Sequence, residues 1–451
     1  MRIHDMKKFL YVIGLFTLIC WGCNSQTNEA GNSNSERTAP NIVLIMADDL
    51  GYNDLGCYGS VSIKTPNIDR LAASGFRFTD YHSNGAVCSP TRASLLTGLY
   101  PQEAGVEGVI TAKSHREKGM SLDKFTLAEY LKESGYSTAI FGKWHLGYKP
   151  EFGPNAQGFD QFVGFVSGNV DYFSHIDQEG YEDWWNNQNL INEAGYLTDL
   201  ITDKALEHLD EIRPDKPFFL YLAHGAPHSP YQGPNDKADR TVGGDFPIQG
   251  SRKDKEVAYQ EMVESLDENV GRIMEYLEKN GLSENTIVIF CSDNGASRTV
   301  GSNAPHRGYK GQLYEGGHRV PAIFYWKDRI PQNVYEKLVL SMDLFPTIAG
   351  LLGLEVPVDL SGKNLAGIFD DTKPITLEED RVVFWRFGNQ VAVRKGTWKL
   401  LKIGEISNLY DLSTDFQEST DIKEAYPGIF QELEKSYEDW EAGLTEEIIS
   451  F

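Results

Sequence analysis

The sequence predicts an α/β fold: a large mixed, mostly parallel sheet flanked by helices, with a small C-terminal antiparallel sheet plus helix. Three observations predict it. From Asn41 onward, short β-rich runs alternate with longer runs of helical period, the pattern of βαβ units. Four short runs, at residues 42–47, 138–141, 218–223 and 286–290, are continuously apolar, as strands buried on both faces are. After about Asp370 the style changes to short strands with turns between them, at 381–387, 391–395, 398–402 and 408–412. A last helix from about Tyr426 carries Phe430, Leu433, Tyr437 and Trp440. At 451 residues the chain is long enough for one large domain, 41–370, and a smaller α+β subdomain, 371–451.

At the N-terminus, Arg2, Lys7 and Lys8 precede an apolar run over 9–21, shorter than the ~20 residues that span a bilayer. Met6 opens an equivalent charged start. The run ends in Cys20-Trp21-Gly22-Cys23, and a small residue before a Cys resembles a bacterial lipoprotein cleavage site, with Cys23 acylated. Plain secretion with cleavage nearby is the alternative. Residues 1–23 therefore read as a signal peptide of lipoprotein type, and 24–40, rich in Ser, Asn, Thr and Gly, as a flexible tether. Both readings take the protein out of the cytoplasm, to the periplasm or the outer-membrane surface of a Gram-negative bacterium.

Helix punctuation is well marked. Thr65-Pro66 supplies a start and Gly75 a stop. Residues Thr126 to Glu129 form a capping box, ended by Gly135. Val257, Met262, Leu266, Val270, Ile273 and Leu277 keep close to helical spacing, ended by Gly281.

A composition 41% hydrophobic and 24% charged excludes wholesale disorder. The formal charge of −23 argues against nucleic acid, whose binding rests on Lys and Arg neutralising phosphates. It leaves an anionic small substrate open, because surface charge is screened beyond ~8–10 Å and a site can be locally positive. Of five cysteines, Cys20 and Cys23 belong to the signal. Cys57, Cys88 and Cys291 remain, an odd count at no framework spacing, so no disulfide scaffold is expected.

The chemistry collects where apolar runs end. Residues 42–47 lead into Asp48-Asp49, and 286–290 through Cys291-Ser292 into Asp293-Asn294-Gly295. Residues 138–141 lead to Lys143 and His145, and 218–223 to His224-Gly225-Ala226-Pro227-His228. In open α/β sheets ligands bind beyond the carboxyl ends of the strands, so these tails converge if the strands are neighbours. Two aspartates and an Asp-Asn pair make a hard-cation set, suited to Ca²⁺ or Mg²⁺ rather than Zn²⁺. Each pair read alone serves equally as a turn or N-cap; together they favour metal, because unpaired carboxylates at a sheet edge would repel. In the segment 87–98, Pro90 suits a first helical turn and Gly98 its stop, which puts Cys88 at a helix N-terminus. A buried, inert Cys is the plainer alternative.

Cys88-Ser89-Pro90-Thr91-Arg92, followed by Ala-Ser-Leu-Leu-Thr-Gly, resembles the signature of type I, formylglycine-dependent sulfatases of the alkaline-phosphatase-like superfamily. In that family the Cys is oxidised to formylglycine by a maturing enzyme before export. Asp48 to Tyr52, Gly142 to Gly147, Ala226 to Pro230, Ser292 to Gly295 and Lys310 to Pro321 resemble further family segments, in family order. Asp343 to Thr347 and Leu409 to Leu412 fit its late ones. Asn53 stands where a Gly is common. The resemblance implies a metal site of Asp48, Asp49, Cys88, Asp293 and Asn294 holding Ca²⁺, with Mg²⁺ as alternative. It implies a nucleophile made from Cys88; Arg92, Lys143 and Lys310 balancing negative charge; His228 protonating the leaving alcohol; and His145 taking the second hydroxyl's proton. The implied substrate is a sulfated saccharide, galactose or N-acetylgalactosamine sulfate by preference, attacked from a chain end.

A phosphodiester or phosphonate monoester hydrolase of the same superfamily is the nearest rival, and a noncatalytic glycan-binding lipoprotein a more distant one. His224, His306 and His318 flank these segments and either line the sugar side of the pocket or pack there. His82, His115, His175 and His208 read as structural or exposed, and Cys57 and Cys291 as buried and inert. The aromatics at 170–175 and 181–187 suit stacking on sugar rings, or a loop packed over the sheet.

Overall fold

The computed structural model describes residues 39–444, apart from 214, 357 and 371–380. The expected signal peptide, Cys23 and nearly all of the tether lie outside the described residues, as do both ends of the expected C-terminal subdomain. The strands up to the last large-sheet crossover are β1 (Asn41–Ala47), β2 (Phe76–Phe78), β3 (Tyr81–His82), β4 (Ser137–Lys143), β5 (Gln161–Phe165), β6 (Trp185–Asn186), β7 (Asn189–Leu190), β8 (Phe218–Ala223), β9 (Thr286–Ser292), β10 (Ala322–Tyr325), β11 (Asn333–Tyr335) and β12 (Val339–Leu340). The small sheet adds β13 (Val382–Phe387), β14 (Gln390–Lys395), β15 (Trp398–Ile403) and β16 (Ile406–Asp411). The helices are α1 (Pro66–Ser74), α2 (Cys88–Thr97), α3 (Ala112–His115), α4 (Leu127–Glu133), α5 (Leu197–Glu211), α6 (Lys255–Lys279), α7 (Glu315–His318), α8 (Leu344–Leu352) and α9 (Pro427–Ala442).

Ten strands form one sheet in the order β11-β2-β10-β9-β1-β8-β4-β5-β6-β7. The four apolar runs are its centre, β9-β1-β8-β4, parallel throughout. Their carboxyl ends are level: Ala47 pairs with Ser292, and both Met46 and Gly142 pair with Ala223. Asp48, Asp293, Lys143 and His224 are thus delivered to one edge. The outer strands β10, β6 and β7 run antiparallel to their neighbours, which makes the sheet mixed.

Alternation explains the continuous apolar runs. Ile42, Leu44 and Met46 face a core shared with Leu95 and Leu96 of α2, Leu131 of α4 and Phe345 of α8. Val43, Ile45 and Ala47 face the opposite core, with Ile68 of α1, Ile201 of α5 and Met262, Leu266 and Val270 of α6. With both faces covered, positions 42–47 are all apolar, and the buried Asn41 at the start of the strand donates to Thr286 Oγ1. Each buried Leu or Ile contributes roughly 1.5–3 kcal/mol. The capping box at Thr126 forms as read, each partner bonding the other's backbone. Val257 departs from the expected stripe: it is 46% exposed in the first turn of α6, five residues before Met262 and off the buried face.

β13 to β16 form a simple antiparallel meander. One face, with Val383, Trp385, Ala392 and Leu401, packs on Ala86, Leu313 and Met342 of the large-sheet region. The other, with Val393, Leu400 and Leu409, is covered by Leu433 of α9. Among the described residues no helix is long and apolar enough to cross a membrane.

Candidate active site

The chain turns sharply where the strands end. Asp48 donates its N–H to Ala226 O (3.0 Å), tying the end of β1 to the loop after β8. Asp49 lies in the left-handed region at φ 65°, and its N–H donates to Asp293 Oδ1 at 3.1 Å. Ser292 Oγ accepts from Leu50 N and donates to Asn294 O, so one hydroxyl pins both acidic turns. On β4, Gly142 has φ 110°, and a Cβ there would lie 2.0 Å from Ala223 O. Only glycine lets β4 press against β8 at this point and send Lys143 inward.

α2 is buried along its whole length and begins at Cys88, which is 2% exposed. Cys88 Sγ lies 3.3 Å from Asp48 Oδ1 and 3.4 Å from Lys310 Nζ. Arg92, one turn on and hence on the same helix face, puts Nη2 2.8 Å from Asp293 Oδ2 and Nη1 3.2 Å from the Lys143 carbonyl. Lys143 Nζ donates to Asp48 Oδ2 (2.7 Å), and Lys310 Nζ sits 2.8 Å from Asp49 Oδ1. Three carboxylates therefore face three cations, and only Asp48 and Asp49 share a segment.

Burial pushes the Cys88 thiol up, and Asp293 and Asp48 push it further, so the unmodified thiol stays protonated. Burial, then the neighbouring Asp48, raises Asp293 to about 6 despite Arg92 beside it. Burial opposes ionisation of Asp49 as well, but Lys310 and His228 outweigh it and hold that carboxyl well below its usual range. Asn294 donates Nδ2 to Asp49 Oδ1 (2.8 Å), while its buried Oδ1 has no protein partner. Ligating atoms of Asp48, Asp49, Cys88 and His228 lie within 4.8 Å of one another. The carboxylate and amide oxygens of Asp48, Asp49, Asp293 and Asn294, one acid pressed toward its neutral form and one amide oxygen orphaned, fit a hard divalent cation.

Both histidines are held in one tautomer. His228 donates Nδ1–H to Ser229 O (2.7 Å), which leaves Nε2 3.6 Å from Asp49 Oδ2. His145, at φ 58°, donates Nε2–H to Ile110 O (3.1 Å), and its buried Nδ1 has no partner. Burial lowers His145 well below its ordinary value, helped by Lys143, and lowers His228 to about 3, helped by Lys310. Each therefore offers a bare nitrogen at neutral pH.

The structure brings Asp48, Asp49, Cys88, Arg92, Lys143, His145, His228, Asp293, Asn294 and Lys310 into one constellation. His318 packs instead of lining a pocket, its Nδ1 2.9 Å from that of His82. His224 is buried, and His306 sits edge-on against Tyr52. Trp184 and Tyr172 are core residues, so the aromatic loop is mainly packed over the sheet; Tyr181 and Trp185 keep partial exposure. Sequence reasoning missed Gln390, whose amide donates to Gly311 O (2.9 Å) and accepts from Leu313 N (3.1 Å), bracketing the backbone just after Lys310. Gln390 sits in no chemically legible motif. Tyr172, read only as one of the aromatics at 170–175, has its hydroxyl 2.7 Å from Gly225 O and 3.0 Å from His228 O, under the His228 loop.

Fold and constellation together define the class: an α/β enzyme whose centre joins an oxygen-ligand cluster to a helix-leading cysteine. The Sulfatase family model matches residues 40–354, and the chain belongs to that family. It is 30% identical to an N-acetylgalactosamine-6-O-sulfatase of Bacteroides thetaiotaomicron, over 92% of this chain and 96% of that one. It is 37% identical to human arylsulfatase A, over 72% of this chain and 67% of the relative. Among solved structures, Ps i-CgsB in complex with k-i-k-neocarrahexaose superimposes with a TM-score of 0.82 at 32% identity, covering 92% of this chain and 95% of that one. The phosphonate monoester hydrolase of Agrobacterium radiobacter shares the fold, at 19% identity and a TM-score of 0.65 over 91% of this chain and 97% of that one.

Proposed function

We propose that this enzyme hydrolyses sulfate esters of carbohydrates through an aldehyde made from Cys88, at a site holding Ca²⁺. The observation that carries this reading is a helix-leading Cys enclosed by Asp48, Lys310 and Arg92, whose own thiol burial keeps protonated. A residue so placed and so unreactive calls for conversion. The hydrated aldehyde would supply two hydroxyls on one carbon, one to attack sulfur and the other to let sulfate leave by elimination. Asp48, Asp49, Asp293 and Asn294 would hold the cation, which would polarise a sulfate oxygen and favour ionisation of the attacking hydroxyl.

The chain's own groups do the rest. Lys143, Lys310 and Arg92 stand in place before substrate arrives, so the anionic group meets preset positive charge. His228 presents Nε2 toward the centre and, taking up a proton from water once the anionic substrate adds negative charge beside it, would pass that proton to the leaving alcohol oxygen. His145 Nδ1, bare because Nε2 is committed to Ile110 O, would take the proton from the second hydroxyl. In this reading residues 41–370 carry the chemistry and 371–451 brace it.

The relatives named N-acetylgalactosamine-6-O-sulfatase and the neocarrahexaose complex support galactose or N-acetylgalactosamine sulfate, taken from a chain end, as the substrate. An export signal over 1–23, with acylation at Cys23, would place the enzyme on the periplasmic or outer-membrane side, after a maturing enzyme has acted on Cys88. The test is release of sulfate and phosphate from sulfated saccharides and phosphodiesters, with protein co-produced with a maturing enzyme and the aldehyde verified by mass spectrometry. Sulfate release should fall at least ~10³-fold in Cys88→Ala. Faster cleavage of phosphodiesters would favour the phosphonate-hydrolase reading instead.

A further inference from the structure

Three chain segments meet beside His145. One follows β4, a second follows β5, and the third reaches it through the Ile110 carbonyl. Gly168, after β5, lies so close that a Cβ would come within 2.9 Å of His145 Nε2 and Cε1. The next residue, Asn169, is 7% exposed and donates Nδ2 to Gln178 Oε1 at 3.1 Å. Gln178 in turn donates Nε2 to Glu179 Oε1 at 3.0 Å. Both donors face inward along this relay, so its two free ends are acceptors: Asn169 Oδ1 and Glu179 Oε2, each buried and without a protein partner.

The loop that carries them is fixed. Asp183 takes the N–H groups of Val166 and Ser167, and Asp177 Oδ1 takes those of Glu179 and Tyr181. A β-bridge joins Val170 to Asp177. Across from it, Arg116 lies over the rings of Tyr148 (5.5 Å) and Tyr181 (4.7 Å) and makes no ion pair among the described residues. Buried acceptors left bare cost free energy, and a rigid loop that keeps two of them bare, one on the residue next to the Gly168–His145 contact, is built to receive donors.

We propose that Asn169 and Glu179 form a subsite that accepts hydroxyl or amide N–H donors of the sugar ring carrying the sulfate, with Arg116 and Tyr148 at its rim. The inference rests on the sulfate-ester reading and names the part of the substrate that reading leaves open. An aryl sulfate has no ring donors to offer, so it reaches the centre without using the subsite.

The experiment compares N-acetylgalactosamine 6-sulfate with 4-nitrophenyl sulfate in wild type, Asn169→Ala and Glu179→Ala, the last at a partly buried position outside the core. For the saccharide, kcat/KM should fall about 10- to 100-fold, mostly through KM, against at most about 2-fold for the aryl sulfate. Equal losses on both substrates, or none on either, would overturn the proposal. Calorimetry of N-acetylgalactosamine 6-sulfate binding to Cys88→Ala, with and without Asn169→Ala, decides it without turnover. Weaker binding in the double variant supports the subsite; equal binding, or no binding to either, overturns it. A wild type that carries the aldehyde yet releases no sulfate would sink the sulfate-ester reading and leave that binding comparison intact.

Discussion

Two buried clusters in this molecule carry the same formal charges and do opposite things. The first sets Asp48, Asp49 and Asp293 against Arg92, Lys143 and Lys310. The second, under the small sheet, sets Asp80, Glu315 and Glu418 against Arg319, Arg394 and Lys399. In the second the pairs close on one another: Arg394 to Asp80 at 2.7 Å, Lys399 to Glu315 at 2.9 Å, Arg319 to Asp80 at 3.2 Å. Glu418 Oε1 lies 2.8 Å from Lys399 Nζ, within ion-pair range though off the hydrogen-bond direction. Trp385 covers the cluster, 4.5 Å from the His318 ring and 5.5 Å from His82. His82, Glu315 and His318 are near enough to hold a metal. Yet their ligating atoms are spent on Asp80, Lys399, Arg394 and each other, so the cluster is a rivet between domain parts. The first cluster instead leaves Asn294 Oδ1, His145 Nδ1 and Arg92 Nε bare. The difference between bracing and chemistry lies in the unspent atoms, not in the charge count.

The comparison breaks most visibly at Glu315. Glu315→Gln leaves three cations facing two carboxylates in a dry site and should lower unfolding free energy by about 3–5 kcal/mol, read by denaturant titration. A loss under about 1 kcal/mol would mean the cluster is no rivet. Next in size, Asn294→Ala removes an unspent oxygen. Sulfate release should drop about 100-fold, and chelator should lower the melting temperature of wild type more than that of the variant. Equal chelator responses would argue against a cation here.

Gln390→Ala sharpens the link between the clusters, because Gln390 carries the small sheet's grip to the backbone beside Lys310. It should lower kcat about 10-fold with KM nearly unchanged, and Gln390→Glu, which keeps the acceptor for Leu313 N–H, should recover part of it. A change confined to thermal stability would reduce Gln390 to a packing residue. The smallest effect is in pH. Burial lowers His318 and His82 below their ordinary 6.5, with Lys399 adding to the effect at His318, so both rings stay neutral when folded and take up protons when unfolded. Stability should therefore decline as pH falls below about 6.5, and His318→Phe should make that decline shallower by about one proton.

Much of this is legible in the sequence. The central strands were readable because burial on both faces forbids polar residues, and the acidic turns because Asp-Asp and Asp-Asn end those runs. Cys88 was readable from Pro90 and Gly98, which place it at a helix start. What stayed hidden were side chains acting at a distance. Gln390 lies 79 positions from Gly311 and reaches it only because the meander folds back. His318 read as a candidate for the sugar side because its flanking residues are motif-like, while its partners, His82 and Lys399, arrive from 236 and 81 positions away.

The sequence by itself determined the layer architecture and the residue types that end its apolar strands, since these follow from local periodicity and chain punctuation, while the tertiary structure made those strands neighbours. Only the tertiary structure decided which polar atoms are satisfied and which are left bare. Satisfaction depends on angles and distances between segments hundreds of residues apart, and no local pattern encodes it.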